Sequence, residues 1–267
     1  RRSWSEPGAD VAKFDLNSRS LTLRVGASHP IIRTRSETLR ASLTFTARDS
    51  DTRALSEPLS EDHLRILTAG LAYDVADALG GVNLVTGTLS QGLPIFGASQ
   101  KDDPYLSRAG ASGEFTKLTA SAQRHQPLFE AVSLYTSVEG QWSPTRLLSS
   151  EEYGLGGAYF GGAFDYSELT GDSALAGRVE LQYTPELGVP EVRMSQIYAF
   201  TDGGGVWNYE DDSRHGWQSL WSAGVGLRVA VTDNVTASVE AAKPISPAPT
   251  ATGDKDWRGF FSLTLRY

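Results

Sequence analysis

Cysteine is absent from this sequence of 267 residues, and methionine occurs once. Without cysteine, these residues form no disulfide and supply no thiolate to bind a metal or act as a nucleophile. No run reaches the roughly 18 apolar residues that a membrane-spanning helix needs. The formal net charge of −8 argues against nucleic acid as a partner. A mean hydropathy of −0.27 still allows a membrane β-barrel, because an apolar exterior and a polar interior average out.

Signatures of an enzyme are also missing. The four histidines, His29, His63, His125 and His215, fall in or directly beside four different links between predicted strands, which disfavours a metal cluster or a nucleophile and base pair. We therefore expect neither enzymatic activity nor a cofactor. There is no initiator methionine and no signal-peptide pattern at Arg1, so we expect the chain to be a portion of a longer protein.

Alternation of apolar and polar residues is the main pattern that is present. It begins at Ser20 and recurs to the C-terminus, as in residues 175–183, where Leu175 and Val179 alternate with Arg178 and Glu180. The pattern predicts about eleven strands and no convincing helix. We expect residues 1–19 to form an irregular arm or loop and residues 20–267 to form an all-β, antiparallel transmembrane β-barrel.

The links between the predicted strands alternate in length. The short links are residues 30–37, 78–81, 125–128, 184–191 and 232–234; the long links are 49–63, 90–114, 151–172, 208–217 and 244–256. Short turns on one side and long loops on the other are typical of outer-membrane barrels. The alternative is a soluble β-sandwich with a polar outer face, which has no reason to keep this order.

The glycine-rich segment 151–173 is predicted to be neither helix nor strand. A long irregular segment in a compact protein is usually functional. Glycines permit close approach to a barrel wall, and so much aromatic surface is not expected to stay in water. We therefore predict a plug folded into the lumen, with a flexible surface loop as the alternative. The residues assigned to the plug are Gly156, Gly157, Tyr159, Gly161, Gly162 and Phe164, with Phe160 and Tyr166 as further aromatics.

Several short motifs occur in a characteristic order. They are Tyr153-Gly154-Leu155-Gly156-Gly157, Leu169-Thr170-Gly171-Asp172, Tyr198-Ala199-Phe200-Thr201-Asp202-Gly203-Gly204 and a last strand ending in Leu263-Thr264-Leu265-Arg266-Tyr267. With these motifs the chain resembles the C-terminal barrel of the two-partner secretion transporters, the TpsB or haemolysin secretion/activation family.

The resemblance implies a barrel of about sixteen strands in the bacterial outer membrane, preceded by two POTRA domains. It implies export of a secreted exoprotein, contact with outer-membrane lipid, and insertion by the barrel-assembly machinery through a C-terminal signal at Phe261, Leu263, Leu265 and Tyr267. In this family the tip of the extracellular plug loop carries an arginine that meets an inward aspartate. This chain has Gly162 at the arginine position and Asp202 as the aspartate.

The missing loop arginine leaves two interpretations. In the first, the barrel exports a partner protein and Arg178 replaces the loop arginine beside Asp202, with Glu180 nearby. In the second, the barrel has lost transport and anchors a cell-surface assembly. A separate alternative concerns Asp202 alone, which is then simply hydrated and not paired with Arg178. The residues expected at the contact between pore and loop are Arg178, Glu180, Tyr198, Phe200 and Asp202.

Overall fold

A computed structural model describes residues 2–5, 16–186, 188, 192–209, 216–246, 250 and 253–266. Twelve antiparallel strands follow one another in a single sheet in chain order, and two short strands form a separate ladder. The strands of the large sheet are β1 (Arg2–Ser5), β2 (Asn17–Arg33), β3 (Glu37–Ala54), β4 (Glu57–Ala76), β5 (Val82–Gly92), β6 (Thr116–Phe129), β7 (Val132–Trp142), β10 (Ser173–Tyr183), β11 (Met194–Trp207), β12 (Gln218–Thr232), β13 (Val235–Ser246) and β14 (Arg258–Leu265). The small ladder pairs β8 (Tyr153–Leu155) with β9 (Leu169–Gly171). Within the described residues, no helix has the length and apolarity needed to cross a membrane.

The two faces of the sheet have the reverse of the polarity found in soluble proteins. Along β10, Leu175, Val179 and Leu181 are about half exposed, whereas Arg178 and Glu180 on the other face are buried. The same apolar and exposed face continues on the other strands, with Leu23, Leu43, Leu71, Leu89, Leu118, Val138, Ile197, Val225, Val239 and Leu263. An apolar exterior around a polar interior is the arrangement of a membrane β-barrel, which agrees with the fold class predicted from the sequence.

Side chains on distant strands meet across the polar face, so the sheet is curled around it. Arg178 on β10 contacts Glu240 on β13 at 2.9 Å. These strands are three places apart, and their backbones would be about 14 Å apart in a flat sheet. Likewise, Arg48 on β3 and Lys117 on β6 both contact Glu151. The polar face is therefore concave and lines the lumen, although β1 and β14 are not paired with each other among the described residues.

The N-terminal arm expected over residues 1–19 contains a strand, so that expectation is wrong for part of its length. Residues Arg2–Ser5 pair with Ser18–Leu21 of β2, and β2 itself begins at Asn17. A strand of four residues is too short to produce a detectable alternation. Residues 1 and 6–15 of the expected arm lie outside the described residues.

The long loop expected over residues 49–63 is instead the continuation of β3 and β4. The ladder runs through Asp49↔His63 and Asp51↔Glu61 to a tight turn at Leu55 and Ser56, both with positive φ. On the outward face, apolar residues such as Ala47 and Leu67 are followed by the charged or polar residues Asp49, His63 and Glu61. The amphipathic pattern therefore ends here, although the hydrogen-bonded ladder continues. The hairpin therefore extends beyond the apolar band.

Two short links are also shifted from their expected positions, and proline explains both. The turn expected at residues 125–128 lies at residues 130–131, with an irregular register near Pro127. The link expected at residues 30–37 is reduced to residues 34–36, with an irregular register at Pro30. Proline lacks the N–H for the ladder, but a bulge accommodates it within a strand.

Candidate functional site

The segment between β7 and β10 folds inward as a loop with an ordered neck. A 3-10 turn, Ser149–Glu151, leads into β8, and β9 leads out to β10. The ladder Tyr153↔Gly171 to Leu155↔Leu169 was not expected, because glycine obscures the alternation of such short strands. We call residues 151–172 the plug loop, its neck being β8, β9 and the residues that flank them.

The tip of the plug loop contacts the inner wall at Asp202. The backbone N–H of Gly162 donates to both carboxylate oxygens of Asp202 at 3.2 and 3.1 Å, and the N–H of Ala163 donates to the Ser222 hydroxyl at 3.4 Å. Phe164 is buried in a cluster with wall residues that include Phe200 and Leu220. The tip is thus attached by both backbone hydrogen bonds and apolar packing.

Two glycines give the plug loop its path. Gly156 and Gly161 have φ of 117° and 81°, values that favour glycine over other residues. A Cβ at Gly161 would come within 2.4 Å of Leu220 on the wall. Gly161 therefore approaches the wall closely, whereas a Cβ at Gly156 would meet Asp165 of the plug loop itself at 2.3 Å. Gly157 also has positive φ, at 95°.

Arg178 is the central cation beneath the plug tip. Its guanidinium contacts Asp202 at 3.0 Å, Glu180 at 2.7 Å and Glu240 at 2.9 Å, each through a different nitrogen. Asp202 lies directly opposite Arg178 in the β10–β11 register and is fully buried. The ion pair expected between Arg178 and Asp202 is therefore present.

A second arginine completes the charged cluster. Arg228 on β12 contacts both oxygens of Glu180, at 2.9 and 3.0 Å. Tyr198 donates its hydroxyl to Glu240 at 2.9 Å. The cluster contains three carboxylates and two guanidinia, so formally it carries one excess negative charge. The N–H of Gly162 and the hydroxyl of Ser222, which also donates to Asp202, stabilise that charge.

Each arginine lies over an aromatic ring. The Arg178 guanidinium is 3.8 Å from the centroid of Phe200, and that of Arg228 is 3.8 Å from the centroid of Tyr198. Such cation–π contacts hold planar guanidinia in a fixed orientation. All five residues expected at the contact between pore and loop, Arg178, Glu180, Tyr198, Phe200 and Asp202, thus meet in one cluster.

The sequence analysis missed Arg228, Glu240 and Ser222 as members of this cluster. What identifies these residues is that each has an inward position on β12 or β13, next to a cluster residue in the strand register. Tyr198 faces Gly226 and Gly226 faces Glu240, while Asp202 faces Ser222. Finding them requires the strand register, which the alternation alone does not supply.

Glycine on β12 makes room for the aromatic rings of β11. A Cβ at Gly226 would lie 2.2 Å from Cζ of Tyr198. We expect Gly226→Val to displace that ring and to lower the free energy of unfolding by about 1–3 kcal/mol, as overpacking does. Thermal unfolding followed by circular dichroism in detergent measures the loss.

The matched control is Gly87→Val on β5, where a Cβ would meet nothing within 4 Å. We expect this control to unfold at the temperature of the parent protein. Equal losses in the two variants would contradict the steric role of Gly226.

Two tyrosines of the plug loop are not packed as the sequence analysis expected. Tyr159 and Tyr166 are 84% and 85% exposed, whereas Phe164 is buried. Both tyrosines line a cavity of about 960 Å³ that lies between the plug loop and the inner wall. Their polar hydroxyls tolerate a hydrated cavity, which the phenyl ring of Phe164 does not.

The neck of the plug loop is held by charges from several strands. Arg48 and Lys117 contact Glu151 at 3.0 and 2.6 Å. Beside them, burial raises the pKa of the Tyr153 hydroxyl, and the charge of Glu139 acts in the same direction. The hydroxyl therefore stays protonated across the physiological range.

The residues assigned to the C-terminal signal lie apart from this site. Phe261, Leu263 and Leu265 are on the exposed apolar face of β14, and Tyr267 lies outside the described residues. In the part of the chain that the structure describes, no three histidine or acidic side chains are grouped to hold a metal ion.

The family model of the haemolysin secretion/activation protein ShlB/FhaC/HecB matches residues 5–229. This chain belongs to that family. Curated relatives include the outer membrane transporter CdiB of Escherichia coli, 31% identical over 62% of this chain, and CdiB of Dickeya dadantii (strain 3937), 30% identical over 57%. The alignments cover 28% and 26% of these two relatives, so the chain matches less than a third of each.

Solved structures agree with the fold. CdiB from Escherichia coli superposes with a TM-score of 0.78 at 24% identity, covering 94% of this chain and 46% of that one. CdiB from Acinetobacter baumannii gives 0.71 at 16% identity, with coverages of 100% and 46%. At these identities the likeness concerns the fold alone, and it extends over about half the length of each solved chain.

Proposed function

We propose that this chain is the barrel portion of a transporter in the bacterial outer membrane, which exports a partner protein through its lumen with the plug loop as the closure. The observation that carries the proposal is the attachment of the plug tip to the wall through the N–H of Gly162 and Asp202. Membership of the haemolysin secretion/activation family and the names of the relatives support it.

The attachment suits a closure that opens. The tip contributes two backbone N–H donors and one buried phenyl ring, whereas the buried ions of the site all belong to the wall. Removing the tip therefore leaves Asp202 paired with Arg178 and leaves no buried charge without a partner. We infer that the plug is released at lower energetic cost than if its own arginine had to leave the carboxylates.

The same proposal covers the partners. A secreted exoprotein is the cargo, outer-membrane lipid contacts the apolar face, and the barrel-assembly machinery inserts the chain through Phe261, Leu263, Leu265 and Tyr267. The proposed activity is transport and not catalysis, with no nucleotide or other cofactor.

A second candidate is a barrel that has lost transport and anchors a surface assembly. Glycine at position 162, where the resemblance places arginine, is the observation that favours it. Arg178 beside Asp202 favours the first candidate, because a cation is still present at that carboxylate.

Deleting residues 157–166 tests the proposed closure. The deletion keeps the β8–β9 ladder, in which Leu155 and Leu169 are paired. The three residues that remain between them are long enough for a hairpin loop. We expect a large increase in ionic conductance of the protein in planar bilayers, because the plug tip no longer fills the lumen.

The control is Tyr159→Ala, which changes an exposed plug residue and is expected to conduct like the parent. A deletion variant that conducts no better than the parent would count against the plug. Secretion of an exoprotein by cells that carry this protein separates the two candidates, since an anchor exports nothing.

A further inference from the structure

A second segment, residues 93–115 between β5 and β6, covers the edge of β4 and reaches the neck of the plug loop. We call it the clasp. It follows the part of β4 that lies beyond the end of β5, with backbone hydrogen bonds from Leu93 to Arg65 at 2.7 Å and from Ser99 to His63 at 2.9 Å. The N–H of Glu61 donates to Tyr105 of the clasp at 2.6 Å. The clasp is therefore fixed to the wall.

Apolar packing supports the clasp from inside the lumen. Ala111 and Phe115 of the clasp are buried with Leu64 and Ile66 of β4, and with Leu147 from the segment that precedes the plug loop. This cluster is separate from the one beneath the plug tip. The clasp is thus a packed element with a defined position beside the neck.

Arg108 is the clasp residue that engages the neck. Its guanidinium pairs with Asp172, through one short contact and one of 3.0 Å, and lies 3.3 Å from Glu152. It also donates to Asn208 in the link between β11 and β12 at 2.8 Å. Asp172 and Glu152 stand at the two ends of the plug loop, so one side chain joins both ends.

Asp172 accepts hydrogen bonds from two further places. It is fully buried, and it accepts the N–H groups of Leu147 and Tyr209 at 2.8 Å each in addition to Arg108. A buried carboxylate depends on its cation, because without it the charge is neither hydrated nor neutralised. Arg108 is the cation that neutralises Asp172 at the neck.

We propose that the clasp holds the neck of the plug loop closed through Arg108, so that Arg108 must leave Asp172 and Glu152 before the plug tip leaves the wall. Arg108 acts as a positioning residue, because it touches the neck and not the tip. The inference rests on the proposed function in one respect: it takes plug release to be a step of export.

A thiol reporter tests the clasp without requiring export. Because the chain has no cysteine, Ala163→Cys places a single thiol at a fully buried position of the plug tip. Its rate of maleimide labelling in liposomes measures how often the tip is free. With Arg108→Gln added, we expect labelling to rise about tenfold or more, the equivalent of one lost charge-assisted hydrogen bond.

The matched control is Arg53→Gln, at an exposed arginine near the end of β3. It is expected to leave the labelling rate unchanged. If Arg108→Gln also left the rate unchanged while Asp202→Asn raised it, the tip alone would hold the plug and the clasp proposal would be overturned. Circular dichroism of each variant establishes that the barrel is folded.

A covalent lock gives the opposite test. Ser107 in the clasp and Ser149 before the neck exchange two hydrogen bonds of 3.1 and 3.2 Å between side chain and backbone, so Ser107→Cys with Ser149→Cys places two thiols on residues in direct contact. Oxidation is expected to abolish labelling of the Ala163→Cys reporter, whereas the same oxidation without the Ser107→Cys and Ser149→Cys changes is expected to leave the parent rate. Labelling at the parent rate in the oxidised protein would overturn the proposal.

The outcomes for the clasp and for export are distinguishable. Faster labelling in Arg108→Gln together with no secretion of any partner would support the clasp and refute the proposed function. Secretion of a partner together with a labelling rate that Arg108→Gln leaves unchanged would support the proposed function and refute the clasp.

Discussion

Arg178→Ala is expected to release the plug tip and to destabilise the barrel more than any other single change on the inner wall. Three carboxylates, Asp202, Glu180 and Glu240, contact this guanidinium. Removing one partner of a buried ion pair costs about 3–5 kcal/mol, because the remaining charge stays buried without compensation. Arg228 still neutralises Glu180, so the main loss falls on Asp202 and Glu240.

Two measurements report the effects of Arg178→Ala. Unfolding in denaturant reports the stability of the wall, and labelling of the Ala163→Cys reporter reports release of the tip. Arg178→Lys is expected to recover only part of the effect, because one ammonium lacks the planar fork that serves three carboxylates.

Arg24→Ala is the matched control for Arg178→Ala. Arg24 also projects from the inner face of a strand, but its side chain is exposed. We expect it to leave stability and labelling near the parent values. Similar losses in the two variants would show that Arg178 contributes only general charge to the lumen.

Gly162→Arg is expected to expel the plug tip, although it restores the residue type that the family resemblance places there. A Cβ at position 162 would lie 3.2 Å from Glu240 Oε1 and 3.4 Å from Asp202 Oδ2. Both carboxylates already contact Arg178, so a second guanidinium meets an occupied site and lies beside a like charge, which outweighs its offset of the excess negative charge of the cluster. We expect labelling of the reporter thiol to rise by about tenfold or more.

The double variant Gly162→Arg with Arg178→Ala is expected to hold the plug better than either single variant. The loop arginine would then occupy the position that Arg178 leaves. The labelling rate of the double variant would therefore be lower than that of either single variant, which means that the two changes compensate each other. Gly162→Gln in both backgrounds supplies bulk without charge and is expected to give no rescue. Additive losses in the double variant would refute the exchange of one arginine for the other.

The inner cluster was partly predictable because its key pair is local to one strand pairing. Arg178 and Asp202 both lie on inward positions of strands that are consecutive in the large sheet, and the register places them directly opposite. The alternation of residues 175–183 predicts that Arg178 lies on the polar face. The inward position of the charged Asp202 predicts a cation beside it. Arg228 and Glu240 were missed because they belong to strands one and two places farther along the sheet.

Other elements were missed because their patterns carry no apolar signal. Beyond Asp49 and His63 both faces of the β3–β4 hairpin are mostly polar, so alternation cannot distinguish it from a loop. Arg108 and Asp172 are 64 residues apart and lie in links, whose path no periodicity determines. Tyr159 and Tyr166 were expected in the packed plug because aromatic content does not distinguish a ring in a dry core from one in a hydrated cavity.

The reversed polarity of the sheet determines where this protein tolerates change. An outward position such as Leu175, Val179 or Leu181 lies on the exposed apolar face and needs only an apolar side chain, so many residues serve there equally. An inward position such as Arg178 or Asp202 has defined partners at fixed distances, and it changes only together with them. Natural variation should therefore accumulate on the outside of the wall, while the inside changes through matched pairs of substitutions.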